Sequence, residues 1–496
     1  MERIGLIENP RLLLEDERGR NWTSYLSSGS LSSKLLVGGT LIAAGYEVCL
    51  YNLERGKDRT TLGEVAWNGH VLQKIVLGTP WHSINPHECD VWGITANFHQ
   101  EEEIVASLIR YLTEHGARVV VGGSAAFAEP QKYTEMGAAV VVLDKSGGSN
   151  VAAIEIALTG STKKPHRLYL ARQGESRVGV AADYRLHPEK WPLPPISFVK
   201  ETLGDMVWQK SFPTDFFPIG TIMADQGCDQ KCDFCQSWKY GLGYQWMSPE
   251  RIAEWILLLK KAGAGSIDCT SDQFVARNLW KHGRDEIMAV VDAFKAADMP
   301  FLWRNGIELK KITMGRGIEH DLMPDRDLIR SLFGWDGKRG CVQTYIAGER
   351  PIDGTENYRK LLPWQQHLDM LRAIIETGIP DIFYGVILGL PDDSNETYKR
   401  LEEGLHEIRD MTKEMNPSLT FSVHLNGIQA FPGTLMTENL QDEGLMPQNV
   451  DPALINKQTP VARTRHLSVA QLSEWQRHLY RTFVDSEGRR GVTCFT

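Results

Sequence analysis

Three cysteines crowd into eight residues, Cys228-Asp229-Gln230-Lys231-Cys232-Asp233-Phe234-Cys235, and no other stretch constrains the chain as strongly. A Cys-x3-Cys-x2-Cys loop aims three thiolates at one point, and soft thiolates at such spacing suit an iron–sulfur cluster. Three ligands are one fewer than a four-iron cluster needs, which leaves one iron open to a small molecule. Zinc is the other reading of a thiol triad. Structural zinc takes four ligands, usually as paired Cys-x2-Cys knuckles. No second pair exists here, and the next histidine downstream, His282, is remote.

The flanks alternate between apolar strands and helices. Before the loop, strands are expected at Arg3–Ile7, Glu47–Tyr51, Asp90–Thr95, Arg118–Val121 and Ala138–Leu143, with helices at Ser32–Ala44 and about Gln100–His115. Such alternation predicts a doubly wound parallel sheet whose ligand crevice lies beyond the carboxyl ends of its strands. Gly122 and Gly123 fall at one of those ends, where missing side chains let a large ligand approach the backbone. After the loop, strands are expected at Gly265–Cys269, Phe301–Arg304, Cys341–Ile346, Asp381–Leu388 and Ser418–Leu425, each preceded by a helix. With Gly220–Ala224 these make six strands, too few for an eight-unit barrel but right for a partial one. The expected organisation is α/β throughout: a Rossmann-like domain over 1–162, a proline-marked linker over 163–216, a partial (β/α)6 barrel over 217–450, and a short helical C-terminal region over 451–496.

A net charge of −9 without a lysine- or arginine-rich run argues against nucleic acid or an anionic membrane as the main partner. No apolar run reaches about 18 residues and no secretion signal opens the chain, so a cytoplasmic location is expected. The other five cysteines (Cys49, Cys89, Cys269, Cys341, Cys494) are scattered and do not form a disulfide framework.

Cys228-x3-Cys232-x2-Cys235, with Phe234 before the last cysteine, resembles the signature loop of the radical S-adenosylmethionine (SAM) superfamily. That resemblance implies a [4Fe–4S] cluster on three cysteines, with its fourth iron chelated by SAM. Where the family commonly has Gly-Gly-Glu after the second strand, to bind the SAM amino group, this chain has Thr270-Ser271-Asp272-Gln273, so Asp272 or Gln273 is expected to supply the acceptor. Gly385-Val386-Ile387-Leu388-Gly389-Leu390-Pro391, followed by Glu396-Thr397, is similar to the fifth-strand motif that cradles adenine by backbone contacts, which implies such contacts at Val386 and Leu388. Glu349, after the fourth strand, is a further expected SAM contact. Phe431-Pro432-Gly433-Thr434 resembles a turn of the subgroup that carries cobalamin domains.

The N-terminal half is similar to the cobalamin-binding domain that precedes many such barrels, with Thr95, Gly122, Gly123 and Ser124 at the implied corrin crevice. The Asp-x-His-x-x-Gly sequence of other cobalamin enzymes is absent, as it commonly is in this subgroup; His82, His87 and His99 are the histidines near the crevice. The resemblance implies a C-methyltransferase that moves a methyl group from methylcobalamin to an unactivated carbon after hydrogen abstraction by a 5′-deoxyadenosyl radical. A small molecule or a peptide side chain is the expected substrate, flavodoxin or ferredoxin the electron donor, and a monomer the expected state. Arg304, Asn305, Tyr345 and Arg350 are expected at strand ends facing the substrate. Two alternatives stay open: a non-methylating cobalamin enzyme that contracts or forms a ring, and a non-catalytic cluster or corrinoid protein. RNA methylthio transfer fits poorly, because the first half has no second cysteine triad.

Overall fold

A computed structural model describes residues 1–23, 29–180, 183–204, 214–318, 320–352 and 358–483. Cys494, the tail 491–496 and part of the expected linker, 205–213, lie outside the described residues. The chain divides into two compact units, one formed by Met1–Thr202 with Gln429–Ala462, the other by Leu203–Ile428 with the segment from Arg463.

In the first unit, β1 (Arg3–Glu8), β3 (Glu47–Asn52), β6 (Val91–Thr95), β7 (Arg118–Gly122) and β8 (Val140–Val142) are parallel, in the order β3-β1-β6-β7-β8. Val119, Val121, Val140 and Ile94 are buried, as strands covered on both faces require. The helix Glu102–Glu114 buries Ile104, Val105, Leu108, Ile109 and Leu112, one apolar stripe at helical spacing. The strand order reverses between β1 and β6, so the crevice of this sheet opens beyond Glu8 and Thr95.

Two features depart from expectation. A three-stranded antiparallel sheet, β2 (Arg11–Glu15), β5 (His70–Leu77) and β4 (Arg59–Trp67), sits within the first unit. Its β4–β5 hairpin turns on Asn68-Gly69, both with positive φ, the backbone that a two-residue hairpin demands. The expected linker is also no mere linker. β9 (His166–Leu170) and β10 (Gly174–Val178) extend the main sheet antiparallel beyond β8. Trp191 is buried and donates from Nε1 to the Ser146 carbonyl at 3.0 Å. Gly38 and Gly39, in the helix Ser32–Ala43, leave room for Phe198 and Pro194.

The second unit is a six-stranded parallel sheet in chain order: β11 (Ile219–Ile222), β14 (Ser266–Cys269), β15 (Phe301–Ile307), β16 (Cys341–Glu349), β17 (Asp381–Leu388) and β18 (Thr420–Gly427). A helix lies between each successive pair, the first being Pro249–Lys261, capped by Ser248 with proline at its first position. The unit stops at Ile428 rather than at the expected 450, because Gln429–Ala462 packs into the first unit, where Trp67 Nε1 donates to the Pro460 carbonyl and Lys74 reaches Asp451. The last helix, Val469–Phe483, is not a separate region: Trp475 donates to Asn395 and His478 meets Glu402, both on the helix Asn395–Met415.

The turn after β17 is pinned by one buried carboxylate. Asp393 accepts from the Gly389 and Leu390 N–H groups at 2.9 and 3.1 Å, from the Tyr398 hydroxyl at 2.8 Å, and pairs with Arg350 at 2.8 Å. Arg350 is thus a buried structural cation, not a group facing substrate. Removing its partner leaves a buried charge uncompensated, which costs about 3–5 kcal/mol. Asp393→Ala should therefore lower the melting temperature of the second unit, while Glu396→Ala, in the exposed first turn of the following helix, should leave it nearly unchanged; thermal melts of both variants decide the matter.

Candidate functional site

The cysteine loop is closed at its base before it presents any sulfur. β12 (Asp225–Gln226) pairs antiparallel with β13 (Gln245–Trp246). Gly227 has φ +79°, and a Cβ there would lie 1.6 Å from the Gly243 carbonyl oxygen, so the position admits only glycine. The Gly227 N–H donates to Asp272 Oδ2 at 2.8 Å, and Lys311 Nζ holds Asp229 Oδ1 at 2.9 Å. Trp238 Nε1 donates to the Cys232 carbonyl at 3.0 Å. Within the loop, the N–H groups of Gln230 and Ser237 point at Cys228 Sγ and Cys235 Sγ, each at 3.4 Å.

A cavity of about 250 Å³ opens beyond the carboxyl ends of β14, β15 and β16. Cys228, Cys232, Cys235, Phe234, Asp272, Gln273 and Glu349 all line it, so seven positions singled out in the sequence meet at one place. Glu349 stands at a register shift of β16 against β17, with φ +49°, a left-handed backbone that a residue other than glycine adopts only when its surroundings impose it. Its Oε1 accepts from Lys360 Nζ at 2.6 Å. Burial works against the Lys360 ammonium, but Glu349 and Cys232 outweigh it and raise its pKa above the ordinary lysine value.

Val386 and Leu388 are not brought to this cavity. Both side chains are buried within the sheet, and the Leu388 carbonyl accepts from the Ile428 N–H at 2.8 Å. Gly385 is explained by packing: the Tyr345 hydroxyl would stand 1.7 Å from a Cβ there. Arg304 is half-buried 3.8 Å from Asp268 and does not line the cavity, whereas Asn305 lines the cavity and donates to the Ser271 carbonyl at 2.7 Å.

In the first unit, Thr95 ends β6, Gly122 ends β7, and Gly123 precedes the short helix that begins at Ser124. Gly123 has φ +119°, and a Cβ would lie 2.5 Å from the Ala96 carbonyl oxygen; a Cβ on Gly122 would meet only Val142, at 3.8 Å. The Thr95 hydroxyl is taken by Lys34, whose ammonium also pairs with Glu8 at 2.5 Å. His82 and His87 are exposed. His99 is buried 3.3 Å from Glu129, and Lys132 bridges Glu129 and Glu102, a network that carries its own cation.

No family model and no curated protein matches this sequence. Solved structures do. The cobalamin-dependent SAM radical enzyme OxsB, with aqua-cobalamin and SAM bound, aligns at a TM-score of 0.67 and 14% identity, over 97% of this chain and 67% of its own. The SeMet-labelled apo form of OxsB aligns at 0.65 and 12% identity, over the same shares. OxsB with aqua-cobalamin alone aligns at 0.58 and 14%, over 97% of this chain and 61% of its own. The chain has the fold of a cobalamin-dependent radical SAM enzyme. It spans about two thirds of the length of OxsB.

With that fold in hand, the sulfur triad can be tested against the metals it would hold. One zinc ion at about 2.3 Å from each sulfur would draw the sulfurs to roughly 3.8 Å apart. The three Sγ atoms do not all close to within 4.8 Å; among the described residues His99, Glu102 and Glu129 do. The wider triad suits a cluster, with a separate iron for each sulfur. Burial pushes Cys228 up to about 12 and Cys232 up to about 11, so a cluster would displace protons from both. All seven described cysteines are free.

Three titratable cavity residues escaped the sequence: Glu308, Lys360 and His367. Glu308 directly follows β15, which runs to Ile307, three residues beyond the end expected at Arg304. Lys360 lies in irregular chain that no periodicity marks. His367 sits on the helix Trp364–Ile375, bonded through Nε2 to the Tyr384 hydroxyl at 2.7 Å; burial pushes it down to about 4, so it is neutral.

Lys311 is 3% exposed and shared by Asp229 and Glu308. Lys311→Met would leave both carboxylates without their cation and free the cysteine loop. Reconstituted anaerobically, that variant should hold well under half the iron of the unchanged chain, and any Cys→Ala change at Cys228, Cys232 or Cys235 should remove nearly all of it; iron per chain is the measurement. In the first unit, Gly123→Ala should destabilise by at least about 2 kcal/mol through backbone strain and clash, while Gly122→Ala folds normally. A thermal melt of each separates the glycine the chain needs from the one it leaves open.

Proposed function

We propose that this chain is a cobalamin-dependent radical SAM C-methyltransferase, acting on an unactivated carbon of a small molecule or a peptide side chain. One observation carries the cofactor assignment: the cysteine loop and the residues after β14 and β16 line a single cavity at the carboxyl ends of a parallel sheet. We read that six-stranded sheet as the partial barrel of the family. Cys228, Cys232 and Cys235 would hold the cluster, and the cavity beside Asp272, Gln273 and Glu349 would hold SAM. The strand ends at Thr95, Gly122, Gly123 and Ser124 would hold cobalamin.

When bound, these groups supply hydrogen abstraction and a transferable methyl group, chemistry that no side chain offers on a carbon so weakly acidic. The chain supplies placement. Phe234 packs edge-on against Tyr358 at 5.5 Å, with Lys360 Nζ 5.6 Å from the Phe234 ring, so an aromatic and its cation wall the sulfur triad on one side. Leu309, Leu361 and Leu362 add apolar side chains to an otherwise largely polar lining. His367, neutral and bonded to Tyr384, brings no charge to the wall. What supports a second cofactor is the crevice of the first unit, where Gly122 leaves a strand end bare.

An electron donor such as flavodoxin or ferredoxin, a monomeric state, a cytoplasmic location, and no nucleic acid or membrane partner complete the proposal. No helix among the described residues is long and apolar enough to cross a membrane.

The decisive experiment uses protein reconstituted anaerobically with iron, sulfide and cobalamin, then incubated with methyl-labelled SAM, a strong reductant and host extract. We expect 5′-deoxyadenosine together with a product carrying the labelled methyl on carbon. 5′-Deoxyadenosine without any labelled product would point to the non-methylating alternative. Its absence at full iron loading would sink the radical SAM reading altogether.

A further inference from the structure

One group of side chains in the first unit has no part in the chemistry proposed above. Among the described residues, three ligand atoms of histidine, cysteine or carboxylate side chains close to within 4.8 Å of one another at His99, Glu102 and Glu129. They come from two neighbouring turns of the same unit. His99 and Glu102 follow β6, where the helix Glu102–Glu114 begins. Glu129 follows β7, between the short helices Ser124–Ala128 and Pro130–Glu135.

Closeness alone does not make a metal site. What sets this cluster apart is the buried polar atoms that meet there without a hydrogen bond. His99 is 1% exposed, and neither of its ring nitrogens is bonded; Nδ1 stands 3.3 Å from Glu129 Oε2 without the geometry of a hydrogen bond. Glu129 Oε2 is itself buried and unbonded. Tyr133 is fully buried with an unbonded hydroxyl, and burial, then the charges of Glu102 and Glu129, raise its pKa. Buried polar atoms are nearly always paired, so three such residues at one place call for an occupant, a water or an ion.

Lys132 does not supply it. Its ammonium binds Glu102 Oε2 at 2.7 Å and reaches Glu129 at Oε1, the oxygen that His99 does not face. One ammonium against two carboxylates also leaves a negative charge uncancelled. The donor set selects the class of ion. Two carboxylates and one imidazole, without sulfur, are harder ligands than the cysteine triad and suit manganese or ferrous iron.

We propose that His99, Glu102 and Glu129 bind a divalent cation of the manganese type, Mn²⁺ or Fe²⁺. Bound there, the ion fastens the turn after β6 to the turn after β7, beside the strand ends assigned above to cobalamin. The inference goes beyond that assignment and does not depend on it.

The test is a titration of anaerobically reconstituted protein, freed of loose metal and with its cluster in the diamagnetic oxidised state. Mn²⁺ is the probe, and its uptake is read from the loss of the free-ion electron paramagnetic resonance signal. The unchanged chain should take up one Mn²⁺, and pulsed spectra of the bound ion should show coupling to a single imidazole nitrogen. His99→Gln and Glu129→Gln should each weaken uptake by more than the roughly tenfold that losing a mere partner of a ligand costs. His82→Gln, at an exposed histidine outside the cluster, should leave it unchanged. Mn²⁺ should also raise the melting temperature of the unchanged chain and not that of His99→Gln. If either variant fails to fold, the nitrogen coupling in the unchanged chain decides alone. No uptake by the unchanged chain, equal uptake in folded His99→Gln and Glu129→Gln, or a bound ion without nitrogen coupling would each overturn the inference and leave the open atoms to water.

Discussion

The clamp at the base of the cysteine loop is the interaction on which the second unit's chemistry depends. A loop of seventeen or so residues between Gly227 and Gly243 has many conformations, and loop closure alone restricts them little. Three contacts remove that freedom: the β12–β13 ladder, the Gly227 N–H on Asp272, and Lys311 on Asp229. Two of these reach residues in the turns after β14 and β15, so the loop is registered against the sheet. The buried ion pair adds little net stability, since desolvation offsets most of the Coulomb gain. What it contributes is direction, which a metal-ligating loop needs more than stability.

The first unit solves a related problem with glycine. Gly123 is required by the chain itself, because its backbone has a left-handed φ and sits against the Ala96 carbonyl. Gly122 is not required in that sense; its backbone is ordinary and the space beside it is open. One glycine makes the turn and its neighbour leaves the strand end bare. Adjacent identical residues thus carry different constraints, one steric within the protein and one of access to it.

Most of the parallel framework was legible because buried strands and amphipathic helices announce themselves by period. β1, β3, β6 and β7, and all six strands of the second unit, lie within a few residues of where the pattern puts them. The antiparallel pieces were not read, for different reasons. The β4–β5 hairpin carries an Asn68-Gly69 turn, a strong local signal that was passed over. β10 is mostly polar and half exposed, so it has no apolar alternation to find. Proline density at Trp191–Pro195 suggested a linker, yet Trp191 is buried and Pro194 packs on Gly39. Proline marks where a helix or central strand cannot run; it says nothing about burial. At the site, the cysteines, Phe234, Asp272, Gln273 and Glu349 were legible because each follows a strand or a ligand spacing. Lys360 was not, because it reaches Glu349 from irregular chain. Val386 and Leu388 do not line the cavity, because their side chains are buried in the sheet.

The departure at Thr270–Gln273 shows why motif strings and site chemistry can part company. In a parallel sheet wound in chain order, the residues after consecutive strands converge on one rim. A charge needed at that rim can come from either of two neighbouring strand ends without moving the ligand. Here the end of β14 supplies an amide and the end of β15 a carboxylate, and a 2.9 Å hydrogen bond joins them. The pair sets an amide and a carboxylate side by side on that rim. Lys311 limits the cost of burying that anion without silencing it, since it is shared with Asp229 and binds only one oxygen of Glu308.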